Sequence, residues 1–281
     1  HSETAAYSCN GNYLNQGIGE DWRVKICMWA YGVVDHYEYN REVVSLAMNN
    51  LDRFMDYSNS SGLHVSKMSY QLSAIACIFI AIKIEGRNEQ GNRPVTIHTL
   101  ADLSCGAFST ESIQTMEEGI LFALNWKVNL PIAVHFIYEF MQLFPAYESH
   151  YDDVCRNART LIYELSRYFA DLSVCVARLA MYHKPSVVAL ASIMNAVELL
   201  DNTTLPHAVR KSFLTNIFDA TNIKEESRQI HEVCMILKES CPAITIDGDT
   251  FCTQDETKED LDDSSHSETS PACVSGRSFQ G

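Results

Sequence analysis

The chain has 281 residues, is 46% hydrophobic and carries a formal net charge of −15. That length and apolar content suffice for two domains with separate cores and exclude a disordered protein. The acidity argues against nonspecific binding to nucleic acid or to an anionic membrane surface, because neutralising phosphate requires clustered Lys and Arg.

Only seven prolines and twelve glycines punctuate the chain, and period-3.6 patterns recur without sustained alternation, so the fold class read here is all-α. Helices are predicted over 22–37, 41–56, 67–84, 97–103, 110–124, 132–142, 151–170, 172–182, 186–200, 207–216 and 223–238. On the first of these, Trp22, Ile26 and Trp29 share one face. The second contains Leu46-Ala47-Met48-Asn49-Asn50-Leu51-Asp52-Arg53-Phe54. The third is apolar from Tyr70 to Ile82 and ends at Lys83, while Glu117 interrupts the later stripe Ile113, Ile120, Leu124. A charge held among apolar residues needs a partner. Lys83 and Glu117 therefore either neutralise each other or receive backbone groups from another molecule.

Asn125 to Pro131 reads as the hinge between two halves, since proline can follow one helix and begin the next. Each half has one helix buried on all sides, Tyr70–Ile82 and Val187–Val197, which suggests an architectural repeat. From Pro242 to Gly281 nine acidic and two basic residues, many Ser and Thr and no apolar period describe a disordered tail, either solubilising or regulatory. Within it Ser270-Pro271 is a minimal proline-directed phosphorylation site. The expected divisions are 1–21, 22–130, 131–240 and 241–281. Because the first residue is His, the expectation is that the natural N-terminus is missing from the 1–21 segment.

The ten cysteines form no C-x-x-C pair, and Cys27, Cys77, Cys175 and Cys234 fall inside periodic apolar segments. They read as reduced, mostly buried thiols, with zinc disfavoured and a nuclear and cytoplasmic location expected. The longest apolar run, Leu72 to Ile82, falls short of the roughly 20 residues of a membrane span, and no signal core opens the chain. Ten histidines are scattered, with no His-Glu-x-x-His, phosphate loop or nucleophile elbow. A non-catalytic protein without cofactor or metal is expected.

Trp22-Arg23-x-x-Ile26-x-x-Trp29 and the Leu46–Phe54 run together resemble the start of the cyclin box, Met-Arg-x-x-Leu-x-x-Trp followed by Leu-Ala-x-Asn-Tyr-hydrophobic-Asp-Arg-Phe. Ala76 to Glu85 is similar to the cyclin helix ending in Ala-Ser-Lys-hydrophobic-Glu. Met116-Glu117 is similar to the family's Met-Glu pair, and Leu121, Trp126 and Pro131 follow in step. Ala170-Asp171-Leu172 and Lys184 to Ala189 resemble elements of the C-terminal cyclin fold. The resemblance covers 22 to about 238 and implies two tandem five-helix bundles ahead of the acidic tail.

It also implies roles. Lys83 and Glu117 match cyclin residues that bond to backbone flanking the mobile helix of a cyclin-dependent kinase, with Ile84 and Leu121 adding apolar contact. The internal bridge between Lys83 and Glu117 is the competing reading. Arg23 and Asp52 match a structural salt bridge. Trp22, Ile26, Trp29 and Gln71 match a groove for substrates or inhibitors carrying Arg-x-Leu motifs, although their spacing is also that of an ordinary core face. Lys25 and Gly32 depart from the groove pattern, and the loop from Glu85 to Thr96 is longer than usual. The expected function is a cyclin that activates a kinase and helps select substrates in cell-cycle control, the tail resembling degradation-promoting tails. The alternatives are a cyclin-fold scaffold without kinase binding and a transcription-associated factor, which the acidity disfavours.

Overall fold

The computed structural model describes Gly11, Leu14 and residues 18–63, 65–85, 95–145, 152–221 and 227–241. Residues 86–94 of the long loop, Ser270 and the whole acidic tail lie outside these described residues. Among the described residues there are eleven helices and no strand. The first group is α1 Glu20–His36, α2 Glu42–Ser60, α3 Lys67–Glu85, α4 Ile97–Leu103 and α5 Thr110–Ala123. The second is α6 Ala133–Met141, α7 Asp152–Cys175, α8 Ala177–Tyr182, α9 Pro185–Leu199, α10 His207–Thr221 and α11 Arg228–Ser240. The arrangement is all-α, with the short α8 a connector between α7 and α9.

Local chemistry sets the helix ends near the site. Thr96 caps α4 through a reciprocal box, its Oγ1 accepting from Thr99 N at 3.2 Å while Thr99 Oγ1 accepts from Thr96 N at 3.2 Å. Ser109 caps α5 by accepting from Ser112 N at 3.2 Å, and Glu111 sits favourably in the first turn. At its far end α5 closes with paired bonds, Asn125 N to Phe122 O at 3.1 Å and Trp126 N to Leu121 O at 2.9 Å. This is the left-handed helix stop usually built on glycine. Here Asn125 and Trp126 both adopt positive φ, 50° and 62°. Asn tolerates that region and Trp does so rarely. The segment that follows is tied back to α2 by Asn50 Nδ2 donating to Val128 O at 2.9 Å and Arg53 Nη1 donating to Lys127 O at 2.7 Å.

Each group packs around one thoroughly apolar helix. Although α3 is long and apolar enough to cross a bilayer by length and composition, it packs between α2 and α5 with Tyr70, Ala74 to Ile78 and Ile80 to Ile82 buried. Similarly, α9 packs against α6, α7 and α11. Two core clusters result, and the first recruits Val174, Ala177 and Met181 from the second group of helices.

Several predicted boundaries move, α2 running on to Ser60 and α10 to Thr221. The helix expected to end at 170 continues to Cys175, because Asp171 sits inside α7; the break falls at Val176, whose extended backbone (φ −88°, ψ 102°) separates α7 from α8. The last helix starts at Arg228 rather than 223, and residues 222–226 lie outside the described set.

Candidate functional site

Four sequence-selected residues form two ion pairs of opposite character. Arg23 is fully buried and Asp52 is 3% exposed. Their contact is bidentate: Arg23 Nε donates to Asp52 Oδ1 at 3.0 Å and Nη2 donates to Oδ2 at 2.8 Å. Nη1 reaches the end of α7, donating to Val174 O at 2.7 Å and Cys175 O at 3.4 Å. A guanidinium presents five donors in a fixed fork, and here that fork joins α1, α2 and α7. Its surroundings leave no face for a partner molecule.

Lys83 and Glu117 meet across α3 and α5, with Nζ at 2.5 Å from Oε1. Of the two alternatives left open by spacing, the isolated chain adopts the internal bridge. The exposures are unequal: the Glu117 side chain is 11% exposed and that of Lys83 is 48%. Lys83 also lies over the Phe79 ring, its Nζ 3.9 Å from the centroid, a favourable cation–π placement. An ammonium has three donors and a carboxylate several acceptor positions, so this single contact leaves capacity on both sides. Ile84 and Leu121 are partly buried against the first core beside the pair. Just beyond Leu121, Phe122 is 80% exposed and Trp126 73%. Neither had been given a site role; the available signal was a large aromatic residue outside the apolar stripe of α5.

The residues proposed for a groove divide. Ile26 is 3% exposed and belongs to the first core. It is therefore a packing residue rather than groove lining, because the i, i+4, i+7 face of α1 turns inward there. Trp22 and Trp29 are only partly buried against that core, and Gln71 is half-buried. Two ammonium groups lie near the Trp22 ring, Lys67 Nζ at 4.9 Å and Lys25 Nζ at 5.8 Å from its centroid.

Between the two groups of helices a cleft of about 60 Å³ is lined by residues including Asn49, Asp52, Pro131, Ser173 and His183. It is far smaller than the roughly 300 Å³ at which small-molecule sites begin. Among the described residues Asn49 Oδ1 and His183 Nδ1 lie buried there without a hydrogen-bond partner. Burial pushes the His183 imidazole below its ordinary value. No group of His, Cys, Asp or Glu suited to a metal ion occurs among the described residues.

The profile of the family described as "Cyclin, N-terminal domain" matches residues 1–129. The chain carries an N-terminal cyclin domain over residues 1–129. Cyclin-D3-1 of Arabidopsis thaliana is 27% identical over 247 residues, which cover 88% of this chain and 59% of that protein. The chain spans under three fifths of the length of the plant cyclins it matches. A viral cyclin from Herpesvirus saimiri shares the fold at TM-score 0.57 and 19% identity, over 85% of this chain and 95% of that one. A chain of the CAK complex of Chaetomium thermophilum, determined with ATP-gamma-S bound, aligns at TM-score 0.53 and 12% identity over 85% of this chain and 71% of its own.

Proposed function

We propose that this chain is a cyclin that binds a cyclin-dependent protein kinase and switches it on, acting in the nucleus and cytoplasm as a non-catalytic subunit in cell-cycle control. The observation that carries the reading is the Lys83–Glu117 pair, its ammonium half-exposed and its two groups with donors and acceptors to spare. Ile84 and Leu121 adjoin it, partly buried against the first core, and the exposed Trp126 follows at the end of α5, its N–H bonded to Leu121 O. An apolar surface around a charged pair suits a protein partner, because the apolar part gains from burial and the pair fixes register through backbone groups. The N-terminal cyclin domain supports the same reading, as does a fold neighbour found in an assembly that holds an ATP analogue.

The mechanism follows from kinase chemistry. Catalysis requires the mobile αC helix to bring its Glu to the Lys that binds ATP phosphates. A partner that holds this helix inward completes the active site without supplying a reacting group. On the cyclin side Glu117 would accept from kinase backbone N–H groups and Lys83 would donate to carbonyls, each exchanging part of the internal bridge for a new bond.

Docking of Arg-x-Leu motifs is not part of the proposal. Lys25 and Lys67 flank Trp22 and disfavour an incoming guanidinium, and Ile26 is unavailable.

A panel of purified cyclin-dependent kinases provides the test, each titrated with the wild-type chain and with Lys83→Ala, Glu117→Ala and Trp126→Ala while affinity and phosphoryl transfer are measured. The expected result is activation of at least one kinase by wild type and a loss of more than about tenfold in affinity for the charge variants. Retained folding of the variants is checked by circular dichroism. If no kinase is bound or activated, the chain is a scaffold; if the folded variants bind equally well, the pair is not the docking site.

A further inference from the structure

Cys27 and Cys175 are separated by 148 residues in sequence, yet their Sγ atoms lie 3.1 Å apart. Cys27 is fully buried on α1, a rigid helix of the first group; Cys175 is the final residue of α7 and is partly exposed. A disulfide has a length of about 2.05 Å, so closure requires roughly 1 Å of approach. The break in helical conformation at Val176, immediately after Cys175, places the adjustable member of the pair at a joint between two helices.

The surroundings differentiate the two sulfurs. One turn before Cys27 on α1, Arg23 sends Nη1 to the carbonyls of Val174 and Cys175. This puts a guanidinium against the C-terminal end of α7, where bare carbonyls would otherwise oppose a thiolate. A hydrogen bond from Cys27, reinforced by the Arg23 charge and working against burial, draws the Cys175 thiol below its ordinary value. The same hydrogen bond and burial hold the Cys27 thiol far above its own. By contrast, Cys77 has only burial as its leading influence and is pushed up, as expected of an inert core thiol.

We infer that Cys27 and Cys175 form an oxidative modification site, a thiol pair that a peroxide converts into a disulfide joining α1 to α7. Cys175 thiolate attacks one oxygen of the peroxide. The O–O bond breaks, the leaving hydroxide is protonated to water, and Cys175 becomes a sulfenic acid. The Cys27 sulfur then attacks the Cys175 sulfur, the S–O bond breaks, and hydroxide leaves with the Cys27 proton as a second water. Two electrons pass from the sulfurs to the peroxide oxygens, and a dithiol reductant reverses the process. The product fixes the relation of the two helix groups at the place where Arg23 already joins them.

The test treats the reduced full-length chain with graded hydrogen peroxide, blocks remaining thiols and maps peptides by mass spectrometry without reduction. A peptide pair linked through Cys27 and Cys175 is expected, removed by dithiothreitol and accompanied by a rise in Tm, since the cross-link closes a long loop. In Cys27→Ala, with folding verified, the resolving sulfur is gone and a sulfenic-acid trap labels Cys175 several-fold more than in wild type. In Cys175→Ala, neither the cross-link nor the Tm rise occurs. The proposal is overturned if peroxide oxidises exposed Cys105 while Cys27 and Cys175 stay unlinked. It also fails if the trap labels Cys175 equally in wild type and in Cys27→Ala.

Discussion

The Arg23–Asp52 pair and the Lys83–Glu117 pair use the same chemistry and serve different ends. The first is sealed, with the guanidinium of α1 fully buried and donating to a carboxylate of α2 and two carbonyls of α7. The second has a nearly buried carboxylate and a half-exposed ammonium. What separates the two pairs in this molecule is residual access. A sealed pair is silent toward partners and costly to break, whereas an open pair adds little to stability and remains available.

Breaking the sealed pair should have the largest effect. Removing one partner of a buried ion pair costs about 3–5 kcal/mol. Arg23→Ala and Asp52→Ala should each lower stability by that order in chemical denaturation; a loss under about 1 kcal/mol would erase the contrast.

An intermediate case sharpens it. Asp171, in α7, sits between the helix groups with Arg41 Nη1 3.7 Å from its carboxylate. Burial outweighs the opposing pull of Arg41 and Arg167 and raises its carboxyl to about 6. The native state therefore holds its proton more tightly than the unfolded chain, whose Asp titrates near about 3.9. Stability from this group is fully present below about pH 4 and lost as pH rises through about 6, on the order of 3 kcal/mol in all. Asp171→Asn should remove that component of the slope. Denaturation of the two proteins at several pH values between 4 and 7 decides it, and parallel curves would show that Asp171 is not the source.

The open pair should give the smallest change in stability. Lys83→Ala is expected to cost at most about 1 kcal/mol by thermal melting, because an exposed ammonium contributes little. Its effect belongs to the kinase titration. A stability loss as large as that of Arg23→Ala would make Lys83–Glu117 a second structural bridge.

Much of this was legible in the sequence because it rests on local periodicity. The buried α3 and α9 follow from apolar runs, and the extent of α4 from helix-compatible spacing. Arg23 and Asp52 were recognisable through motif context, although the reach of Arg23 to Val174 was not, since no local pattern encodes a contact across 151 residues. The same reason hid the approach of Cys27 to Cys175. Ile26 was assigned to the groove through the resemblance, whereas its spacing alone already allowed the buried position it occupies. The expected ranges 151–170 and 172–182 left Asp171 outside a helix, whereas packing and the nearby Arg41 make its interior position in α7 tolerable.

Arg23 also has a consequence for biosynthesis. Its carbonyl partners and three residues of the first core, Val174, Ala177 and Met181, are made well after α1 to α5 have emerged. Until α7 is translated, the first half carries a guanidinium without its full set of acceptors and an apolar surface without its cover. A fragment ending at the hinge would share that exposure. The earlier half is thus left vulnerable to chaperone capture and proteolysis until the later half arrives.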